Sequence, residues 1–309
     1  MTSPGTSASG RRSGEWALTL PSFGWMVVFF FLPALIVVFL SFKPADTLGG
    51  VGEGWTLENW RALAEEQYRP ILWRTLWLST ATSCLCVLLA LPCALVMARA
   101  RGAWRHLLLL AVVIPFWTNF LIRIFAWKSL MHPDGLLSRL CRAAGLLGED
   151  NQLLYNSGAV LLVMVYTQLP FAILPLYAAA EKFDFSLLEA ARDLGASALR
   201  AVWSVFVPGV SRGIGTAFLA TFVCTLGMYV VPDVVGGTDT EMLGNRIAQR
   251  VRTDRNLPLA AALSGAMLGM VGLIFLAQAV ARRLVLGPKH GTASPAAASK
   301  SIPNPSGGS

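Results

Sequence analysis

None of the five lysines, at positions 43, 128, 182, 289 and 300, follows a glycine, so the chain cannot form a GxxxxGK[ST] phosphate-binding loop. Any nucleotide-driven work must come from another subunit. There is also no GxSxG, HExxH or CxxC, and the three histidines, His106, His132 and His290, lie in regions flanking the apolar runs. Catalysis by this chain is therefore not expected. Of the five cysteines, Cys84, Cys86, Cys93 and Cys224 sit in apolar segments and Cys141 stands alone in a loop, which gives neither a disulfide framework nor a zinc spacing. Charge is scarce as well, at 14% of 309 residues, and the net +8 is scattered rather than gathered into a patch, so nucleic acid is not an expected partner.

What the sequence has in quantity is apolar: 55% hydrophobic residues and a mean hydropathy of +0.58 describe a membrane protein with the lipid bilayer as a partner. Six stretches are long enough to cross a hydrocarbon core of about 30 Å, which needs about 20 helical residues. They run from about Leu20 to Phe42, Leu72 to Ala98, Leu107 to Leu130, Gly158 to Ala180, Gly213 to Pro232 and Leu259 to Ala281. None contains Asp or Glu, and Asp233, just after the fifth, is the nearest carboxylate. Arg11 and Arg12 before the first run imitate a signal peptide, but the run from Ala17 to Phe42 is too long for one and reads as a retained span. The expected fold class is all-α and polytopic: a membrane body over 17–286 between Ser-, Gly-, Pro- and Ala-rich tails at 1–16 and 287–309, both expected to be disordered.

Six crossings put both termini on one side. The short loop between spans two and three holds Arg99, Arg101 and Arg105 with no acid, which places that loop, the termini and the connection between spans four and five in the cytoplasm. The opposite connections read as extracytoplasmic surfaces, 132–157 as an amphipathic segment with its turn at Pro133, Asp134 and Gly135, and 233–256 as a turn and a short helix, suited to docking a substrate-delivering protein or simply to joining spans.

One polar insert, about 181–210, stands out among the spans. Ser186 and Glu189 have the spacing of a capping box and predict a helix start. Leu187, Leu188, Ala191 and Leu194 form a helical stripe, with Glu189, Arg192 and Asp193 on the other side. Gly195 is placed to end the helix in the left-handed region, Ser197 to cap a second helix, and Pro208 to close it. An amphipathic helix resting on lipid is the plain alternative, but such helices favour Lys and Arg, and this one carries two acids and one Arg.

Glu189, Ala190, Ala191, Gly195, Val205, Val207 and Pro208 fall at the spacing of the EAA motif, and on them the chain resembles permease subunits of bacterial ABC importers. The resemblance implies the six-helix type I importer fold in the bacterial inner membrane. It also implies that Ser186 to Asp193, with Gly195 and Pro208, couples to a cytoplasmic ATPase dimer. That dimer would consume ATP and Mg, this chain would bind no cofactor or metal, and the remaining partners would be a second permease subunit and an extracytoplasmic binding protein.

In the third span, Pro115 to Trp127 reads PFWTNFLIRIFAW. At 100° per residue Phe116, Asn119, Phe120 and Arg123 share one face, beside Trp117, and polar groups at this depth must face protein or water. A translocation-path lining, to which Gln168, Tyr229 and Asp233 would contribute, and a structural Arg with an Asn helix contact are both consistent with this pattern. The segment is also similar to its counterpart in spermidine/putrescine importers, which implies a polyamine substrate. Importers of opines, aminophosphonates, thiamine or ferric ion share the build, while a stand-alone channel or carrier would be expected to show intramembrane acids or inverted repeats.

Overall fold

The computed structural model describes residues 19–46, 49–145, 148 and 152–286, with side chains as far as 280. The tails expected at 1–16 and 287–309 lie outside these residues. Apart from one isolated bridge between Ala45 and Val51, the described residues form helices and their connections.

Among the described residues four unbroken helices are long and apolar enough to cross a membrane: α1 (Thr19–Leu40), α3 (Arg69–Arg99), α7 (Ser157–Glu181) and α13 (Leu257–Leu286). Two bent pairs complete six spans if each pair is one crossing: α4 (Ala103–Trp117) with α5 (Phe120–Met131), and α9 (Ala198–Gly209) with α10 (Ser211–Leu226). Shorter helices lie between them: α2 (Glu58–Ala62), α6 (Leu136–Ala143), α8 (Ser186–Asp193), α11 (Val230–Val235) and α12 (Leu243–Arg252).

The centre is α3, α7 and α10, packed on one another. Lipid tails are as apolar as leucine, so in a bilayer this packing depends on close approach rather than on water exclusion. The buried faces are accordingly small, with Ala90, Ala94, Ala172, Ala180 and Ala217 all inside. A Cβ on Gly213 of α10 would overlap that of Ala179 on α7, so glycine sets the spacing there. Three of the hydroxyls at these contacts bond back to their own helix: Ser83 to Ser79 O at 2.7 Å, Thr221 to Ala217 O at 2.9 Å and Thr225 to Thr221 O at 2.8 Å. They can therefore sit between helices without a partner across the contact.

The connection carrying Trp55 and Trp60 is tied to the end of α1 by side-chain hydrogen bonds. Asn59 in α2 donates to the carbonyls of Ser41 (3.1 Å) and Lys43 (2.7 Å), and Trp60 Nε1 donates to Ser41 Oγ at 3.2 Å, which closes the end of α1. At 233–256 the expected turn and short helix are present. The Leu243 amide of α12 donates to Thr75 Oγ1 on α3 at 2.8 Å.

Two expected spans differ. The third is not one straight helix from Leu107 to Leu130 but turns through 90° between Trp117 and Phe120. Thr118 is extended (ψ 147°), and Asn119 Oδ1 accepts from the amides of Leu121 (2.8 Å) and Ile122 (3.4 Å), starting a new helix. The fifth ends at Leu226 rather than Pro232, with Pro232 inside the separate helix α11. Between them Asn245 Nδ2 takes the Tyr229 carbonyl at 2.9 Å.

Candidate functional site

The insert between α7 and α10 folds as a helical hairpin, and each of its ends has an identifiable cause. Helix α8 begins at Ser186, but not through the expected Ser186–Glu189 box, since neither side chain caps it. The Asp184 carboxylate accepts from the Ser186 amide at 3.0 Å instead, because Ser186 is already the first helical residue and its own hydroxyl lies past the cap position. The Ser186 hydroxyl and then its amide hold the Asp184 carboxyl below the usual carboxylate range.

The other end matches expectation. Gly195 has φ +88°, its amide bonds Arg192 O at 2.9 Å, and the Ala196 amide bonds Ala191 O at 3.1 Å, the paired closure that a left-handed glycine allows. Ser197 Oγ then accepts from the Arg200 amide at 3.3 Å and caps α9. Helix α9 does not stop at Pro208. It runs to Gly209 and the chain turns by 74° into α10. A wider π turn over Val202–Phe206, where the Val207 amide reaches Val202 O, lets the helix carry a proline that has no amide of its own.

The leucine stripe divides. Leu188 is 2% exposed and packs with Ala201, Phe206 and the ends of α3 and α7, with Ala191 against the same cluster. Phe183, Phe185 and Phe206 stack around it, with Phe183 and Phe206 edge to face at 5.3 Å. Leu187 and Leu194 point the other way, Leu194 at 90% exposure. A 100° step separates Leu187 from Leu188, so the two cannot share a narrow face, whereas Leu187 and Leu194 are two turns apart and can. Leu199 and Trp203 of α9 are exposed as well. Sequence reasoning missed both, although they follow Ser197 at helical spacing. Glu189, Ala190, Arg192 and Asp193 are exposed too, and a shallow depression of about 510 Å³ runs from Glu189 to Ala198.

The path candidates separate into two groups. Phe116, Phe120 and Arg123 meet: the guanidinium lies 5.2 Å from the Phe116 ring and 5.9 Å from the Phe120 ring, and Phe116 contacts Phe171 edge to face at 5.2 Å. They meet across the bend, not along one straight face. Asn119 is occupied as the cap of α5, and Trp117 stands out at 80% exposure. Gln168 is 4% exposed on α7, and its Oε1 has no hydrogen-bond partner. Tyr229 and Asp233 belong to the region of α11; the Tyr229 hydroxyl accepts from Arg252 at 3.4 Å and Asp233 is exposed.

The sequence matches the family described as binding-protein-dependent transport system inner membrane component over residues 5–286. It is 36% identical over 255 residues to the spermidine/putrescine transport system permease protein PotB of Haemophilus influenzae, covering 82% of this chain and 89% of that one. The Escherichia coli PotB is 34% identical over 262 residues, covering 85% and 95%. The inner membrane ABC transporter permease protein YdcU of Escherichia coli is 31% identical, covering 81% and 84%. In three dimensions the chain resembles a subunit of a bacterial ABC transporter involved in import of the acidic polysaccharide alginate, with TM-score 0.70 and 15% identity over 89% of this chain and 96% of that one. That likeness is one of fold.

Proposed function

The chain belongs to the binding-protein-dependent transport system inner membrane components, the multi-pass permeases of ABC importers, and from that premise we propose that it carries polyamines. The relatives named for spermidine and putrescine match more than four-fifths of its length at 34–36% identity, which supports that cargo over other small solutes. In this reading the chain forms half of a path completed by a second, different permease subunit. An extracytoplasmic binding protein delivers the substrate, and a cytoplasmic ATPase dimer supplies the work with its own ATP and Mg. Both termini and the α8–α9 hairpin face the cytoplasm.

The observation that carries the coupling role is the two-sided hairpin. Its inner side, Leu188, Phe206 and Phe183, is locked to the ends of α3 and α7, while Leu187, Leu194, Leu199 and Trp203 stand exposed, with Asp193 and the other charged residues of α8 at their border. Apolar anchors within a charged rim are the form of a protein-docking surface. A force applied to α8 passes into the packed cluster at the base of two spans instead of being absorbed by a loose loop.

Uptake of labelled putrescine and spermidine by cells deleted for this chain, then complemented, tests the cargo. Uptake should disappear and return. Unchanged uptake would refute the polyamine assignment, and purification of the chain without an ATPase would refute the coupling assignment.

A further inference from the structure

The turn between α3 and α4 and the near side of α8 enclose a cavity of about 630 Å³, bordered by Arg99, Arg101, Gly102, Arg105, Glu189 and Arg192. Four arginines thus border one opening. Arg105 is paired with Glu181 and bonded to Tyr177, and Arg99 lies over the Phe185 ring at 5.3 Å. Arg101 and Arg192 are exposed and have no ion pair among the described residues, and Glu189 is the one acid on the border. Such an arrangement attracts an anion, because the coupling helix otherwise holds its Arg192 toward the arginines of the body. Gly102, at φ +59°, leaves the first amides of α4 without a side-chain cap on the same opening.

A second feature indicates which anion. From this opening α4 carries Trp104, Leu107 and Ile114 on its exposed side, at i, i+3 and i+10, an apolar lane running from the basic cavity into the span. A soluble phosphate or a protein carboxylate would use the cavity and leave the lane bare. We infer that the cavity seats the phosphate headgroup of an anionic phospholipid, whose acyl chains lie along Trp104, Leu107 and Ile114. The headgroup would bridge Arg192 on the coupling helix to Arg99 and Arg101 on the body, so that leaflet composition bears on how firmly α8 is held. The inference rests on the membrane placement of the spans and not on the identity of the cargo.

The test is retention of phosphatidylglycerol over phosphatidylcholine by the full chain, purified with its partner subunits from mixed vesicles and read by native mass spectrometry. R101Q and R192Q should each lower that preference roughly fivefold, the factor expected for one basic side chain at an anionic surface. R139Q, in α6, should leave it unchanged. An unaltered preference in R101Q overturns the inference. So does displacement of the lipid by inorganic phosphate, which marks a site for a free anion, or a preference seen in the isolated chain and absent from the full complex, which marks a site for a carboxylate of the ATPase. Where R192Q prevents assembly, R101Q decides alone, because Arg101 lies on an exposed turn outside the hairpin. No transport is measured, so a negative result leaves the polyamine assignment standing.

Discussion

Arg105, in the first turn of α4, pairs with Glu181, the last residue of α7, and its Nε donates to the Tyr177 hydroxyl at 2.5 Å. The link joins the start of the third span to the end of the fourth, where the chain leaves for the α8–α9 hairpin. Both side chains remain partly in water, at 35% and 44% exposure, so the pair acts by fixing geometry more than by adding stability. E181Q should therefore insert and purify normally, with ATP hydrolysis by the complex less tightly tied to uptake. The double exchange R105E/E181R should restore the tie. A ratio of uptake to hydrolysis that is unchanged in E181Q would show that the link transmits nothing.

The two sides of the hairpin predict opposite failures. L188A removes a side chain that is 2% exposed and should cost about 2–5 kcal/mol, read as a lower unfolding midpoint and faster proteolysis within 181–210. L194A removes one that is 90% exposed and should change stability by less than about 0.5 kcal/mol. Its effect should appear as weaker co-purification of the ATPase. If L194A retained the ATPase fully and L188A lost it with no loss of stability, the assignment of inner and outer faces would be reversed.

Gly195 is held at φ +88°, where a Cβ is strained. G195A should destabilise the hairpin by about 1–2 kcal/mol, and G195N, which tolerates that region, by less. The order Gly, Asn, Ala in thermal stability and in coupled transport checks this. Equal behaviour of Asn and Ala would mean that backbone conformation is not what the position requires.

Asp184 gives the hairpin a pH dependence of defined sign. Its carboxyl is held below the usual range by Ser186, so the folded form binds its proton less readily than the unfolded chain. The stabilisation is present above the ordinary aspartate pKa of about 3.9 and is lost as pH falls through the lower folded value. Proteolysis of the hairpin should be flat from neutral pH down to that range and rise below it. D184N should remove the acid-dependent step, and a step that persists in D184N would place its origin elsewhere.

How far these features could be read from sequence depended on how local their causes are. The EAA hairpin was legible because Gly195 and Ser197 act on their immediate neighbours. The cap at Asp184 was not, because Ser186 and Glu189 also fit the pattern and only backbone geometry decides between them. The bend at Thr118 and Asn119 was hidden because apolar residues continue on both sides and a hydropathy window averages across it. The signal was there, in a capping residue, Asn119, four positions beyond Pro115. The division between Leu187 and Leu188 was readable in angle, but which of them faces the body depended on Phe183 and Phe206, brought in from both flanks of α8.

Arg123 shows what the bend accomplishes. A guanidinium at the centre of a membrane helix costs about 2.5–3.5 kcal/mol unless it meets water or a partner. Arg123 has no ion pair among the described residues, its Nε has no hydrogen-bond acceptor, and its near neighbours are the Phe116 and Phe120 rings. Ring faces offset only part of that cost, and a place on an aqueous path would let the remaining face of the group meet water. In a background with Cys84, Cys86, Cys93, Cys141 and Cys224 replaced, R123C should react with a water-soluble thiol reagent in intact membranes. Cysteine at Ile124, which is 0% exposed, and at Ile122, whose 67% exposure would be toward lipid, should react roughly tenfold more slowly or less, because a thiol must ionise in water to react. Equal rates at 122, 123 and 124 would remove Arg123 from the path and leave it a packing residue of the bend.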